Sequence, residues 1–158
     1  MNMTKKVTDY LKGAPILIGD SFENREALFS TVNQQLIKKD WVTETFLPKI
    51  LEREQVFPTG IDQGTYGIAI PHTDAECVKE EFIAFIMPES PVAFQRMDDA
   101  SLAVPANFIF ILGLNQPHQQ LTMLQNLMGL MQNTALLNEL SEKTTEDEIL
   151  TLLEKNGF

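Results

Sequence analysis

Two patterns of apolar residues alternate along this chain, one typical of buried strands and one typical of helices. Short apolar runs punctuated by Gly or Pro suit strands, and an uninterrupted run suits a strand that is covered on both faces. Phe82–Met87 is the clearest case, because every residue in it is apolar. Strands are predicted at 16–18, 67–70, 82–87, 92–95 and 106–112.

The second pattern, apolar residues recurring every three or four positions, predicts helices. Asp40 would cap the second helix, whereas Pro48 would sit inside that helix and kink it. The predicted helices are Asn24–Lys38, Trp41–Glu54, His118–Met131 and Thr145–Lys155. In the third helix we expect one stripe to face the core, formed by Leu121, Leu124, Met128 and Met131.

Helices alternating with buried strands indicate an α/β fold, with a central sheet and helices on both of its faces. The pattern alone leaves open whether the strands run parallel or mixed, and we expect a mixed sheet. The chain has 158 residues and contains no repeat, low-complexity segment or linker-like change in composition. We therefore expect a single domain over residues 1–158.

Charge and composition narrow the classes of partner. The formal net charge is −10 and the isoelectric point is about 4.6, so nucleic acid is not expected as a partner. An acidic surface suits a basic protein partner, and it equally serves solubility.

Cys77 is the only cysteine, which excludes an internal disulfide. No apolar run is long enough to span a bilayer, so we expect a cytoplasmic protein without membrane insertion.

His72, one of only two histidines, is the first candidate for chemistry. It follows the predicted Gly67–Ile70 strand and Pro71, which cannot donate a ladder hydrogen bond and should end the strand. A titratable ring held at the end of a strand is well placed for chemistry. An isolated histidine is also often structural, and the residues alone leave both interpretations open.

Three further side chains could bind an anion. Pro117 favours a helix start, which places His118 in a first turn where free N–H groups attract negative charge. Arg53 has the side chain best shaped for a phosphoryl group, although a cation near a helix C-terminus also stabilises the helix dipole. The hydroxyl of Thr59 could contact the same group, but between a proline and a glycine it more often stabilises a turn.

Several other chemistries lack a motif. There is no glycine-rich phosphate-binding loop for a nucleotide and no Gly-x-Ser-x-Gly elbow for a serine hydrolase. Two histidines that lie far apart in sequence make a weak metal site, which Asp74 could complete. A metal-dependent hydrolase built on His72, Asp74 and His118 is therefore the least favoured of the functions considered.

Four segments, taken in order, resemble one known family. They are Arg53-Glu54, Pro58-Thr59-Gly60, the run Gly67-Ile68-Ala69-Ile70-Pro71-His72, and the downstream segment His118-Gln119-Gln120-Leu121. The chain resembles the enzyme IIA domains of the fructose/mannitol/galactitol type, which belong to the bacterial phosphoenolpyruvate-dependent sugar phosphotransferase system. Its Pro-Thr-Gly and Pro-His-Thr-Asp variants are most similar to the galactitol subgroup.

The resemblance implies a phosphotransferase subunit that works without a metal or other cofactor. The histidine-containing protein HPr would donate a phosphoryl group to His72, which would pass it to a cysteine of an enzyme IIB. His118 matches the family's supporting histidine, and Arg53 and Thr59 would stabilise the phosphate. The second hypothesis is a regulatory protein of the nitrogen type, which shares the active histidine but binds target proteins according to its phosphorylation state.

Overall fold

The computed structural model describes residues 5–158, without the side chains of residues 117–120. The helices are α1 (Val7–Leu11), α2 (Arg25–Lys38), α3 (Phe46–Val56), α4 (Pro117–Met131), α5 (Thr134–Ser141) and α6 (Glu146–Lys155). The strands are β1 (Ile16–Ile18), β2 (Gly60–Asp62), β3 (Gly67–Ala69), β4 (Phe82–Met87), β5 (Val92–Gln95), β6 (Ala103–Ala106) and β7 (Phe108–Gly113). A short 3-10 helix covers Ala75–Cys77.

Five strands form a mixed sheet in the order β1-β4-β7-β3-β2. Strands β1 and β4 run parallel, as do β7 and β3, whereas β4 with β7 and β3 with β2 run antiparallel. Strands β5 and β6 pair separately as an antiparallel hairpin. The expected α/β fold with a mixed central sheet is confirmed.

The central strands are buried on both faces, as their uninterrupted apolar sequences predict. Along β4, Ile83 and Phe85 join one hydrophobic cluster, and the residues between and beside them join the other. The first cluster is completed by α1, α4, α5 and α6, and the second by α2, α3 and the β5–β6 hairpin. Helices therefore cover both faces of the sheet, as expected. Within the described residues, no helix is both long and apolar enough to cross a membrane.

Helix α3, which corresponds to the predicted helix Trp41–Glu54, begins later than the sequence pattern predicts. It starts at Phe46, after a segment in which Val42 pairs with Val78 in a single bridge. Asp40 adopts a left-handed backbone with φ 59° and is not the N-cap, a position that Thr45 occupies. Pro48 consequently lies in the first turn, where a backbone nitrogen needs no partner within the helix. The predicted interior position of Pro48 is wrong.

The predicted buried stripe of α4 is only partly confirmed, because Met131 is buried and Leu124 packs against the core, but the other two residues are exposed. Leu121 and Met128 are 60% and 43% exposed. The residues that enter the core are Met123, Leu127, Leu130 and Met131. Two neighbouring stripes of this helix are apolar, so periodicity could not distinguish them, and packing against the sheet selects one.

Candidate functional site

His72 lies just beyond β3, where the chain is still fastened to the sheet. Pro71 has no N–H to donate, but its carbonyl accepts a hydrogen bond from the Leu112 N–H at 2.9 Å. His72 and Leu112 thereby form a single parallel bridge near the C-terminal end of β7. The imidazole is half-buried, so its backbone is held by the sheet while the ring can be reached from solvent.

A hydrogen bond determines which ring nitrogen of His72 is free. Nδ1 lies 3.0 Å from the carbonyl oxygen of Ile70. Because a carbonyl can only accept, Nδ1 carries the proton and donates it. Nε2 then holds the lone pair, and the ring is oriented as a nucleophile through that atom.

Two cations share one carboxylate beside this histidine. Asp74 follows His72 by two positions and is held by both Arg53 and Lys49 from α3. Arg53 Nη1 lies 3.3 Å from Asp74 Oδ1, and Lys49 Nζ lies 3.2 Å from Asp74 Oδ2. Lys49 Nζ also lies 2.9 Å from a carboxylate oxygen of Glu76. The predicted anion-binding Arg53 is thus tied to the segment that carries His72.

An open cleft of about 200 Å³ lies between α3 and the segment after His72, and its charged lining residues are Lys49, Glu52, Arg53 and Asp74. Its apolar wall is formed by Val56 and Phe57, which are 59% and 63% exposed. The Arg53 guanidinium lies 5.4 Å from the centre of the Phe57 ring, within range of a cation–π contact. The cleft therefore combines two cations and two carboxylates with exposed apolar surface.

Thr59 contacts a buried carboxylate. Glu54 is 2% exposed, and its two oxygens accept hydrogen bonds from the Thr59 N–H at 2.7 Å and the Thr59 hydroxyl at 2.8 Å. Burial raises the pKa of Glu54 to about 7, against the lowering effect of those two bonds and of Arg25. The hydroxyl proton of Thr59 is thus engaged, and a phosphate contact through it, which stays a prediction, would require this bond to open.

His118 lies in the first turn of α4, and its side chain is outside the described part of the structure. Strand β7 leads from Leu112, the bridge partner of His72, towards the start of this helix. The connecting segment is fastened by Asn115, whose N–H donates to Glu81 at 3.0 Å. The order of the elements is compatible with the predicted pairing of the two histidines, which stays a prediction.

Sequence reasoning missed Lys49 and the burial of Glu54. One signal for Lys49 was its spacing, since Lys49 and Arg53 are four positions apart and share one helix face. No local signal marks Glu54 as buried, because glutamate in a helix is ordinarily exposed. Among the described residues, no group of three His, Cys, Asp or Glu side chains is arranged to hold a metal ion.

Comparison with solved structures identifies the class of protein. The IIA mannitol structure from Escherichia coli matches with a TM-score of 0.69 at 22% identity, covering 87% of this chain and 94% of that one. Nitrogen regulatory protein IIA-Ntr from Neisseria meningitidis matches with a TM-score of 0.73 at 25% identity, covering 93% and 98%. The fold is that of a phosphotransferase-system IIA domain.

The sequence comparisons then identify the family. The family described as phosphoenolpyruvate-dependent sugar phosphotransferase system, EIIA 2, matches residues 9–156. The galactitol-specific EIIA component of Escherichia coli strain K12 is 32% identical over 122 residues, which are 77% of this chain and 81% of that protein. The chain belongs to this EIIA family and is a phosphotransferase component of a sugar transport system. The resemblance carried by the sequence motifs is confirmed.

Proposed function

We propose that this protein is a cytoplasmic phosphocarrier that accepts a phosphoryl group from HPr on Nε2 of His72 and passes it to a cysteine of an enzyme IIB. The observation that carries the proposal is the hydrogen bond from Nδ1 of His72 to Ile70. It leaves Nε2 as the ring nitrogen with a free lone pair, on a residue that the sheet holds in place. Membership of the EIIA family supports the same reaction.

The transfer requires two substitutions at phosphorus. In the first, the Nε2 lone pair attacks the phosphorus of the donor's phosphohistidine, a new N–P bond forms, and the donor nitrogen keeps the electrons of the bond that breaks. In the second, a thiolate of enzyme IIB attacks the same phosphorus, an S–P bond forms, and Nε2 recovers its lone pair. Nδ1 keeps its proton throughout, so the Ile70 carbonyl holds the ring during both steps.

Catalysis of these steps depends on stabilising the negative charge of the phosphoryl oxygens. Arg53 is the proposed principal cation, because its cleft adjoins the segment that follows His72. We propose His118 as a second donor from the first turn of α4. Thr59 is proposed to assist from the loop that follows α3, with its hydroxyl as a further phosphate donor if its hydrogen bond to Glu54 opens.

The identity of the galactitol-specific relative supports a galactitol-like sugar alcohol as the transported substrate. The sugar itself would bind the membrane subunit and not this chain. A regulatory role of the nitrogen type is the second candidate, supported by the match to the Neisseria meningitidis IIA-Ntr structure. The acceptor of the phosphoryl group distinguishes the two candidate functions, because a transport subunit must pass that group to an enzyme IIB.

The test is reconstitution of the protein with phosphoenolpyruvate, enzyme I and HPr, followed by mass measurement of the intact chain. We expect one added phosphoryl group in the unaltered protein and none in His72→Ala. His118→Ala is the control, because it removes the other histidine and should still be labelled, although more slowly. Labelling of His72→Ala would refute the assignment. Adding a galactitol-type enzyme IIB should discharge the label, whereas a stable label would favour the regulatory candidate.

A further inference from the structure

The Lys49 side chain belongs to the charged cleft, and neither the family motifs nor the sequence predictions assign it a role. We infer that Lys49 is a positioning residue, which keeps Asp74 paired while Arg53 turns from Asp74 to the phosphoryl group on His72. This inference rests on the proposed function. It concerns how the arginine becomes available for the reaction.

The two cations approach different oxygens of the same carboxylate. Arg53 contacts Oδ1 of Asp74 at 3.3 Å, and Lys49 contacts Oδ2 at 3.2 Å. One contact can therefore break while the other persists. The side chains of Lys49, Arg53 and Asp74 are 38%, 43% and 44% exposed, so each ion pair is accessible to water and can rearrange at modest cost.

The charges of the cleft explain why Arg53 has to change its partner. Lys49 and Arg53 balance Asp74 and Glu76, so this group of four side chains carries no net charge. A phosphoryl group brings up to two negative charges. Because that group is the stronger anion, it attracts the guanidinium of Arg53 away from Asp74. Without Lys49, the departure of Arg53 would leave Asp74 with no cation in this cleft. Asp74 would therefore hold Arg53 more firmly.

A second carboxylate favours the retention of Lys49 beside Asp74 when Arg53 moves. The Lys49 ammonium group also donates to Glu76 at 2.9 Å. The hydrogen bonds that Lys49 donates to Glu76 and Asp74 raise the pKa of its ammonium group. The geometry thus divides the work between the two cations, with the planar guanidinium free to bind phosphoryl oxygens bidentately and the ammonium remaining with the carboxylates.

The experiment measures steady-state transfer from phosphorylated HPr in Lys49→Met, Lys49→Arg and Lys12→Met. Lys12 is the matched control, because it too forms an ion pair at 3.2 Å, in its case with Glu154 on α6. Its loss changes the net charge by the same amount. We expect kcat to fall about threefold to fivefold in Lys49→Met, in line with the strength of an accessible ion pair. KM for HPr should not change, Lys49→Arg should restore the rate, and Lys12→Met should match the unaltered protein.

A second comparison places Lys49→Met in an Asp74→Asn background. There Arg53 has no carboxylate to leave, so removing Lys49 should have no further effect on kcat. A remaining loss of rate in that background would mean that Lys49 acts on the phosphoryl group directly, and would overturn the inference. Equal rates for Lys49→Met and Lys12→Met would overturn it too, while leaving the proposed function intact. Absence of labelling in the unaltered protein would refute the proposed function and this inference together.

Discussion

Arg53 is the residue whose partner changes in the proposed reaction. In the described structure it binds Asp74 and lies over the ring of Phe57. Replacement by Ala removes the charge that would stabilise the phosphoryl oxygens, so we expect transfer to slow by more than tenfold. The loss of a preorganised donor, several kcal/mol, is the upper limit. Rapid-mixing measurements of phosphoryl transfer would give this rate.

The same measurement applies to His118→Ala, with the same expected slowing of more than tenfold. Arg96→Ala is a suitable control for Arg53→Ala, since Arg96 makes a two-pronged ion pair with Asp98 on the β5–β6 hairpin. That variant should transfer at the normal rate. If Arg53→Ala and His118→Ala both matched it, their roles would be limited to the structural interpretations that the sequence also allows.

Glu54 makes stability depend on pH. Its pKa is raised to about 7 in the folded protein, above the value of about 4.3 for an unfolded chain. A raised pKa means that the folded state binds the proton more tightly, so this stabilisation is present below about pH 4 and is lost as pH rises through 7. Glu54→Gln mimics the protonated acid. Relative to the unaltered protein, it should gain on the order of 3 kcal/mol between pH 4 and pH 8.

Urea unfolding at a series of pH values measures this difference. Glu139→Gln removes an exposed carboxylate from α5 and controls for the change in net charge. A constant difference between Glu54→Gln and the unaltered protein across the range would contradict the prediction, because it would show that the pKa of Glu54 is the same in the folded and unfolded states.

At the scale of single elements, β3 has no room for a side chain at its first residue. A Cβ added to Gly67 would lie 1.9 Å from the carbonyl oxygen of Pro105, which is backbone and cannot rotate away. Gly67→Ala should therefore lower the free energy of unfolding by about 3 kcal/mol, since overpacking at a buried site costs about this much. Denaturant unfolding at neutral pH measures the change.

Gly129 provides the matched control for that substitution. It lies on the exposed side of α4, and an added Cβ would meet nothing within 4 Å. Gly129→Ala should raise the free energy of unfolding by about 0.5–1 kcal/mol, because alanine is the better helix former. Similar stabilities for the two variants would contradict the close approach of β3 to β6.

Element boundaries show where local pattern stops being informative. The predicted strand at 106–112 is two strands, because Asn107 interrupts it. The Asn107 N–H donates to Gly67 at 2.7 Å and its side chain accepts from Gly67 at 3.0 Å. These contacts fasten the junction between β6 and β7 to the first residue of β3. The short elements α1, α5, β2 and β6 were not predicted, since so few residues carry little periodicity.

For the whole molecule, the net charge of −10 should affect how partners associate. Glu52, Val56 and Phe57 line the cleft, so acidic and apolar groups lie together beside the proposed transfer site. Association with a basic donor would then be steered by charge, and its rate should fall as salt screens interactions beyond a Debye length of about 8 Å at physiological strength. Stopped-flow transfer from HPr across a range of salt concentrations measures this. A rate that does not vary with salt would assign the acidic balance to solubility alone.

The sequence by itself determined the features that depend on neighbouring residues. Apolar runs and helical spacing identified the sheet and most of the longer helices, and the run from Gly67 to His72 identified the family. Tertiary structure alone decided which stripe of α4 is buried, that Glu54 is buried, and that Arg53 and Lys49 share Asp74. Arg53 and Lys49 lie 21 and 25 positions before Asp74 in the sequence. Periodicity describes one element at a time, whereas burial and ion pairing depend on how distant elements pack together.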